Sequence, residues 1–276
     1  MGDCKYCEQP AGFLRSMHKD CDSKFQKGRS DIVSATLSAI RDNGDFAILK
    51  GRISAVSNQS FVGMSEQHKL LISAWEQAVD TFLEDGVLDE TEETRLVQCK
   101  NYFLLNDVDL DKNGYLTKTA KAGALRDLLE GKIPKRVSVD GGVALNLQKN
   151  EQIIWAFPNT EYLEDKTKRH YVGRSHGVSV RIMKGLYYRT SAFKGHPVEH
   201  TERVSMGTGM LVLTNKHVYF HGPLKSFRIP YAKIVSFEPY SNGIGITKDA
   251  PNAKTQTFVN GDGWFIYNVL ANVNNL

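Results

Sequence analysis

A chain of 276 residues, 41% hydrophobic and 24% charged, has the composition of a globular protein of about two domains, since single cores stop growing near ~250 residues. Its apolar runs fall far short of the roughly 18 residues that a membrane helix requires. Met1-Gly2-Asp3-Cys4 lacks the basic and apolar blocks of a secretory signal, and Tyr6 stands where myristoylation asks for Ser or Thr, so a cytoplasmic protein is expected. The net charge of +4 is unevenly placed: 19 Lys or Arg stand against 21 Asp or Glu through Arg136, and 16 against 10 beyond it. Attraction to anionic partners therefore belongs to the second half.

Three of the four cysteines fall in the first 21 residues, as Cys4-x2-Cys7-x10-His18-x2-Cys21. Two residues between thiols let one tight turn offer both sulfurs to one ion, and the three-residue step from His18 to Cys21 puts that pair on one face of a helical turn. Four soft N and S ligands describe a structural zinc site without an open position for substrate. A disulfide would leave His18 unexplained, and a redox Cys-x-x-Cys normally follows a strand, which Met1-Gly2-Asp3 does not provide. The arrangement resembles a short treble-clef or zinc-ribbon module, assigned to residues 1–30. Cys99 lies apart, in a helical pattern, as a small core residue.

Residues 31–136 are expected to be helical. Phe25, Ile32, Val33, Leu37 and Ile40 space an amphipathic helix that Asn43-Gly44 stops, and residues 46–63 read only as a connector. Ser65 is expected to cap a helix carrying Leu70, Leu71, Ala74, Trp75, Ala78, Val79 and Phe82, closed by Gly86. Asp89 begins the next, with acids crowding its first turn. Asp109 to Gly114 resembles a calcium loop in its oxygen ligands at positions 1, 3 and 5, but Ala120 stands where the bidentate Glu belongs. Asp and Asn before Gly also make a helix-to-helix turn, with Thr117 expected to cap the helix up to Gly131. These helices and the phrase from Phe82 to Glu92 are similar to TerB-like helical domains. Gly131 to Arg136 reads as a linker.

Beyond it the period changes to two. Strands are expected at residues 143–147, 152–157, 161–163, 178–182, 185–189, 210–213, 217–220, 233–239 and 255–259, with a type I′ hairpin signal at Asn242-Gly243. Asp262 caps a final helix burying Ile266, Val269, Leu270 and Val273. Leu211, Leu213, Val218 and Phe220 are the expected core. The fold class is thus α+β, a zinc-stapled helical region followed by an antiparallel β-domain at 137–276.

Gly209-x-Leu211-x-Leu213-Thr214-Asn215-Lys216-x-Val218-Tyr219-Phe220, with Lys225-Ser226-Phe227-x-Ile229-Pro230 and Asn242-Gly243-Ile244, resembles bacterial PH-like and GRAM-like domains. That resemblance implies a seven-stranded barrel capped by a C-terminal helix, and functions that range from lipid and peptide binding to pure self-association. Lys166, Lys168, Arg169, His170, Arg174 and His176 are expected on a loop between strands, open to an anionic membrane.

His170, His176, His196 and His200 have no accompanying nucleophile motif, and Pro197 spoils helical metal spacing at His196 and His200, so no enzyme and no small-molecule substrate are expected. The expected role is regulatory or scaffolding, through a protein partner and at an anionic membrane surface. Nucleic-acid binding through the zinc module is the alternative: Lys5, Arg15, Lys19, Lys24, Lys27 and Arg29 favour it, while Asp3, Glu8, Asp20 and Asp22 nearly balance them.

Overall fold

The computed structural model describes residues 2–13, 15–84, 88–137, 145–183, 186–251 and 253–276, and for 166–201 the backbone alone. The chain divides into two compact units at Arg136/Val137.

The first unit is built from helices α1 (Lys19–Arg41), α2 (Phe46–Ser60), α3 (Met64–Phe82), α4 (Glu90–Phe103), the short α5 (Asp107–Asp111) and α6 (Tyr115–Leu129). Trp75 on α3 is 1% exposed, and its indole N–H donates to the Leu96 carbonyl of α4 at 3.0 Å. Helix α2 is the element that the sequence concealed. Its buried stripe is Phe46, Leu49, Ile53, Ser57 and Ser60, so two of the five inward positions are serines and the helical period is faint. Asp45 caps it by accepting from the N–H groups of Ala47 and Ile48. Helix α1 runs straight through Gly28, where a Cβ would lie 2.0 Å from Ser60 Oγ, so the glycine is required by the close approach of α2.

The residue at the N-cap of α3 is Gly63, not Ser65, and no side chain caps that helix. Asp89 begins α4 as expected, and the structure adds a capping box in which Asp89 and Glu92 cap each other's backbone N–H. Gly86 lies outside the described residues. Thr117 does not cap α6: it lies inside the helix, where its N–H and hydroxyl both donate to Asp111 at 2.8 Å. Cys99 is fully buried, as expected, and burial pushes its thiol up to about 12.

The C-terminal carbonyls of α1 are satisfied by Arg95. Its guanidinium donates to Ala39 O and Gly44 O at 2.7 Å each and lies 4.2 Å from the Phe46 ring centroid. Arg95→Ala is expected to lower stability by about 3 kcal/mol in urea titration, because buried carbonyls lose their donors, and Arg95→Lys is expected to recover only part of that. A variant as stable as the parent would remove this account of the α1 terminus.

The segment from Gly131 to Arg136 packs against the helices instead of linking. Pro134 is buried, and the Arg136 guanidinium pairs with Glu93 and Asp127, beside a second pair of contacts from Arg126 to the same acids.

The second unit is a seven-stranded antiparallel sheet, in the order β4-β3-β2-β1-β7-β6-β5, followed by a helix. The strands are β1 (Ile153–Met183), β2 (Leu186–Thr214), β3 (His217–His221), β4 (Ser226–Pro230), β5 (Ile234–Tyr240), β6 (Gly243–Lys248) and β7 (Gln256–Val259); the helix is α7 (Gly263–Asn272). Tight turns at Asn215-Lys216 and from Gly222 to Lys225 connect β2, β3 and β4. The sheet is open: among the described residues β4 and β5 are its edges and do not pair, so the expected barrel closure is not made.

Strand β1 pairs with β7 only over Glu161–Glu164, and β2 with β3 only over Met210–Leu213. Beyond those segments β1 and β2 pair with each other alone, as far as Met183 and Leu186. The positions Lys166, Lys168, Arg169, His170, Arg174 and His176, expected on a loop, therefore lie in β1 backbone, and His196 and His200 lie in β2. Two separate strands expected at 152–157 and 161–163 are one, and of the strand expected at 143–147 the residues 143 and 144 lie outside the described residues while 145–147 are not strand.

The β5–β6 hairpin turns at Ser241-Asn242 without the positive φ of a type I′ turn, and Gly243 is already paired strand. At Gly263 a Cβ would stand 1.7 Å from the Tyr240 carbonyl oxygen, so only glycine lets α7 start against this hairpin. Asp262 caps α7 through Phe265 N–H at 3.0 Å, and Ile266, Val269, Leu270 and Val273 are all buried. Trp155 and Phe157 meet Phe265 of α7, while Tyr162, Phe220, Phe227 and Phe258 form one aromatic cluster.

Leu211, Leu213, Val218 and Phe220 are buried as expected, yet so are Val212 and Tyr219, whose positions alternate with them. Both faces of this hairpin are covered. On the second face Glu151, its side chain fully buried, accepts from Thr214 Oγ1 at 2.6 Å, His217 Nδ1 at 2.8 Å, Tyr219 OH at 2.9 Å and Gln148 N at 2.7 Å.

Candidate metal centre

The site starts from a tight turn. Cys4 N–H donates to Gln9 O at 2.8 Å, and Glu8, at φ 60, turns the chain back so that its own N–H reaches Cys4 O at 2.9 Å. The turn holds Cys4 and Cys7 on one side. Gly12, at φ 94, and the Ala11 N–H bond to Gly2 O then carry the chain round towards α1. His18 is the N-cap residue of α1 and Cys21 its third helical residue, which delivers the second ligand pair as their spacing predicted.

The four ligand atoms of Cys4, Cys7, His18 and Cys21 all lie within 4.8 Å of one another. His18 Nδ1 is 3.4 Å from Cys7 Sγ and 3.7 Å from Cys21 Sγ. A tetrahedral ion with bonds of ~2.3 Å to sulfur and ~2.0 Å to nitrogen sets ligand-to-ligand edges of about 3.5–3.8 Å, so the donor set fits such an ion. His18 Nε2 lies 3.0 Å from Pro10 O, an acceptor that fixes the proton on Nε2 and leaves the Nδ1 lone pair for the ion. Among the described residues no other group of three or more Cys, His, Asp or Glu meets in this way.

The sulfurs are electrostatically unequal. Desolvation opposes ionisation of Cys4, but N–H bonds from Cys7, Tyr6 and His18 outweigh it and bring this thiol down to about 6. The His18 N–H to Cys4 Sγ contact is 3.4 Å. Cys21 is pushed up to about 11 by desolvation and by the neighbouring Cys7 and Cys4 sulfurs. One thiolate suppresses the next, a conflict that a cation at the centre removes.

The turn is seated on the helices by Tyr6, a contact that no spacing announced. Its hydroxyl donates to Asp22 Oδ1 at 3.0 Å, and its ring lies 4.8 Å from Phe25 and 5.9 Å from Phe61. Phe61 takes a left-handed φ of 60 as the C-cap of α2, a position that usually goes to glycine, and from there its ring stacks on Tyr6.

The oxygens of the calcium-like segment are committed elsewhere. Asp109 takes Asn106 and faces His68 at 3.4 Å, Asp111 takes Thr117, and Asn113 donates to Glu76 at 3.0 Å. The segment is the helix-to-helix turn that Asp and Asn before Gly can make unaided.

No helix among the described residues is long and apolar enough to cross a membrane. Fold and site define an α+β protein with a Cys3His cluster arranged for one metal ion. Compared with protein-family models, curated proteins and solved structures, the chain matches none of them.

Proposed function

We propose that this chain is a non-catalytic regulatory or scaffolding protein of the cytoplasm, stapled by one zinc ion and recognising a protein partner through a PH/GRAM-like module. Seven antiparallel strands in the order β4-β3-β2-β1-β7-β6-β5, followed directly by a capped helix, carry that reading: they are the elements, in sequence, that such a module has. Zinc at Cys4, Cys7, His18 and Cys21 is supported by the tetrahedral edges and by the soft donor set. With all four positions supplied by the protein, the ion acts as a staple and leaves no place for substrate. The TerB-like reading of the first unit rests only on the helices α3, α4 and α6.

The paired segments Leu211–Leu213 of β2 and Val218–Phe220 of β3 are buried on both faces, so recognition at this hairpin falls to the connecting loops. Leu224, 69% exposed in the turn between β3 and β4, is the apolar residue best placed there. A partner captured from the native host and then purified is expected to bind the full chain, and to lose about tenfold in affinity, ~1.4 kcal/mol, with Leu224→Asp. An anionic membrane is the second contact proposed. Vesicles containing anionic lipid are expected to co-sediment with the chain while neutral ones do not, and non-binding to both would remove the membrane from the proposal.

The nucleic-acid reading keeps one observation in its favour: Phe13, 80% exposed, stands in the loop between the two ligand pairs. Binding to duplex DNA that weakens steeply with salt would favour it over the protein partner.

A further inference from the structure

Residues 166–201 hold 8 Lys or Arg against one acid, Glu199, which leaves 27 Lys or Arg against 30 Asp or Glu in the rest of the chain. The whole positive balance of the protein therefore sits in the stretch where β1 and β2 pair only with each other. From Leu163 to Arg181 their register runs without a bulge, so cross-strand partners share a face and successive positions alternate between faces. Between the Lys166–Glu202 pair and the Val180–Tyr188 pair, one face takes Lys166, Lys168, Arg174 and Lys194, with Glu202 as its only acid. The same face takes His170, His176, His196 and His200, half of the 8 histidines in the chain. Arg174 stands directly opposite Lys194, and Lys168 opposite His200. Like charges at such positions weaken a strand pair, and a two-stranded ribbon is marginal by itself in water. An anion laid along this face removes the repulsion.

We infer that the ribbon of β1 and β2 binds duplex DNA by lying in its major groove. Charge complementarity selects a polyanion, and the distribution of the charge selects its shape. The opposite face of the ribbon adds Arg169, Arg181 and Arg189 against Glu199, so cations stand on both faces. A bilayer is a plane and meets one face, whereas a groove has a phosphate wall on either side. The major groove of B-DNA, about 12 Å wide, admits a two-stranded ribbon, and the deep, narrow groove of an RNA duplex does not. Lys166 and Arg174 lie about 27 Å apart along β1 at ~3.4 Å per residue, within one turn of ~34 Å of the duplex. Charge reads phosphate and not base order, so the binding is independent of sequence. The inference goes beyond the proposed recognition role, uses the ribbon and not the zinc module, and depends on neither.

Titration of a labelled duplex of about two turns with the full chain, at salt from about 50 to 200 mM, tests it. Binding is expected at micromolar protein and weakens steeply as salt rises. Lys166→Gln, Lys168→Gln, Arg174→Gln and Lys194→Gln combined should make the plot of log affinity against log salt shallower by about 3 to 4, at ~0.9 per phosphate contact. Removing as much charge from the helical unit, with Lys50→Gln, Arg52→Gln, Lys112→Gln and Lys135→Gln, should leave the slope of the parent. Phe13→Ala should leave it too, which separates the ribbon from the zinc module. Affinity is expected to rise from pH 8 to pH 6, since an ordinary imidazole gains its charge near ~6.5, and changing His170, His176, His196 and His200 to Gln should remove most of that rise. Thermal melts identify a variant that fails to fold, and the other ribbon variant then carries the decision. Equal slopes in the ribbon variant and the helical control overturn the inference. So does a rise at low pH that survives the loss of the four histidines, or a parent that binds anionic vesicles and no duplex.

Discussion

Removing the zinc proposed at Cys4, Cys7, His18 and Cys21 is expected to unfold the N-terminal turn and to fray the start of α1. Purified protein should hold about one zinc per chain, lost on Cys4→Ser. The effect should be large, because a structural zinc centre contributes on the order of 10 kcal/mol to the folding of the segment that it organises. Three features of the site make the dependence strong. Helix α1 has no side-chain cap, and its N-cap residue, His18, is itself a ligand. Cys4 is 1% exposed, so its thiol cannot turn to water without opening the turn. The Tyr6 ring on Phe25 and Phe61 lies in the turn between Cys4 and Cys7, both of which the proposed ion would hold. Chelation should therefore cost about two turns of helical circular dichroism and increase the exposure of Tyr6, with the rest of the helical unit retained. A protein without metal, with an unchanged melting temperature and an unchanged spectrum, would sink the zinc centre.

The second large effect belongs to Glu151. Its carboxylate accepts from Thr214, Gln148, His217 and Tyr219 inside the protein, and although burial alone would raise its pKa, these bonds hold it at about 2, below the 4.5 of a free glutamate. A carboxyl whose pKa is depressed on folding adds stability above its unfolded pKa and loses it as pH falls towards the folded one. Here that contribution is about 3 kcal/mol, complete above roughly pH 5 and lost between pH 4.5 and 2. Glu151→Gln is expected to lower stability near neutral pH by a comparable amount and to flatten the acid limb, with a melting temperature that changes less than the parent's between pH 4.5 and 2. Parent and variant with parallel acid limbs would show that this carboxylate does not stabilise the unit. Glu151→Ala should also loosen residues 148–152, since this side chain ties the segment to the β2–β3 hairpin.

How far each feature could be read in advance follows from the range of its interactions. The cluster of Cys4, Cys7, His18 and Cys21 was legible because each pair sits within four residues, and local spacing alone fixes which faces can meet. The start of α4 at Asp89 and the Asp262 cap were legible for the same reason. Ser65 misled because its residue type suits a cap, whereas the N-cap of α3 is two residues earlier, at Gly63. Helix α2 was hidden by serines at inward positions that close contact with α1 makes acceptable. The basic positions from Lys166 to His176 suggested a loop by composition, but long-range pairing with β2 makes them strand.

The sequence by itself determined the class of the protein: helices first, strands after, a terminal helix, and a soft-ligand cluster at Cys4, Cys7, His18 and Cys21. Spacings of two to four residues and a change of hydrophobic period are local quantities, written directly in the chain. Only the tertiary structure decided that Pro10 orients the His18 imidazole, that Arg95 closes α1 across more than 50 residues, and that Glu151 finds partners 63 to 68 residues away. Arg95 and Glu151 are buried polar groups that must find partners, and in all three cases the choice of partner is made by packing that no local pattern encodes.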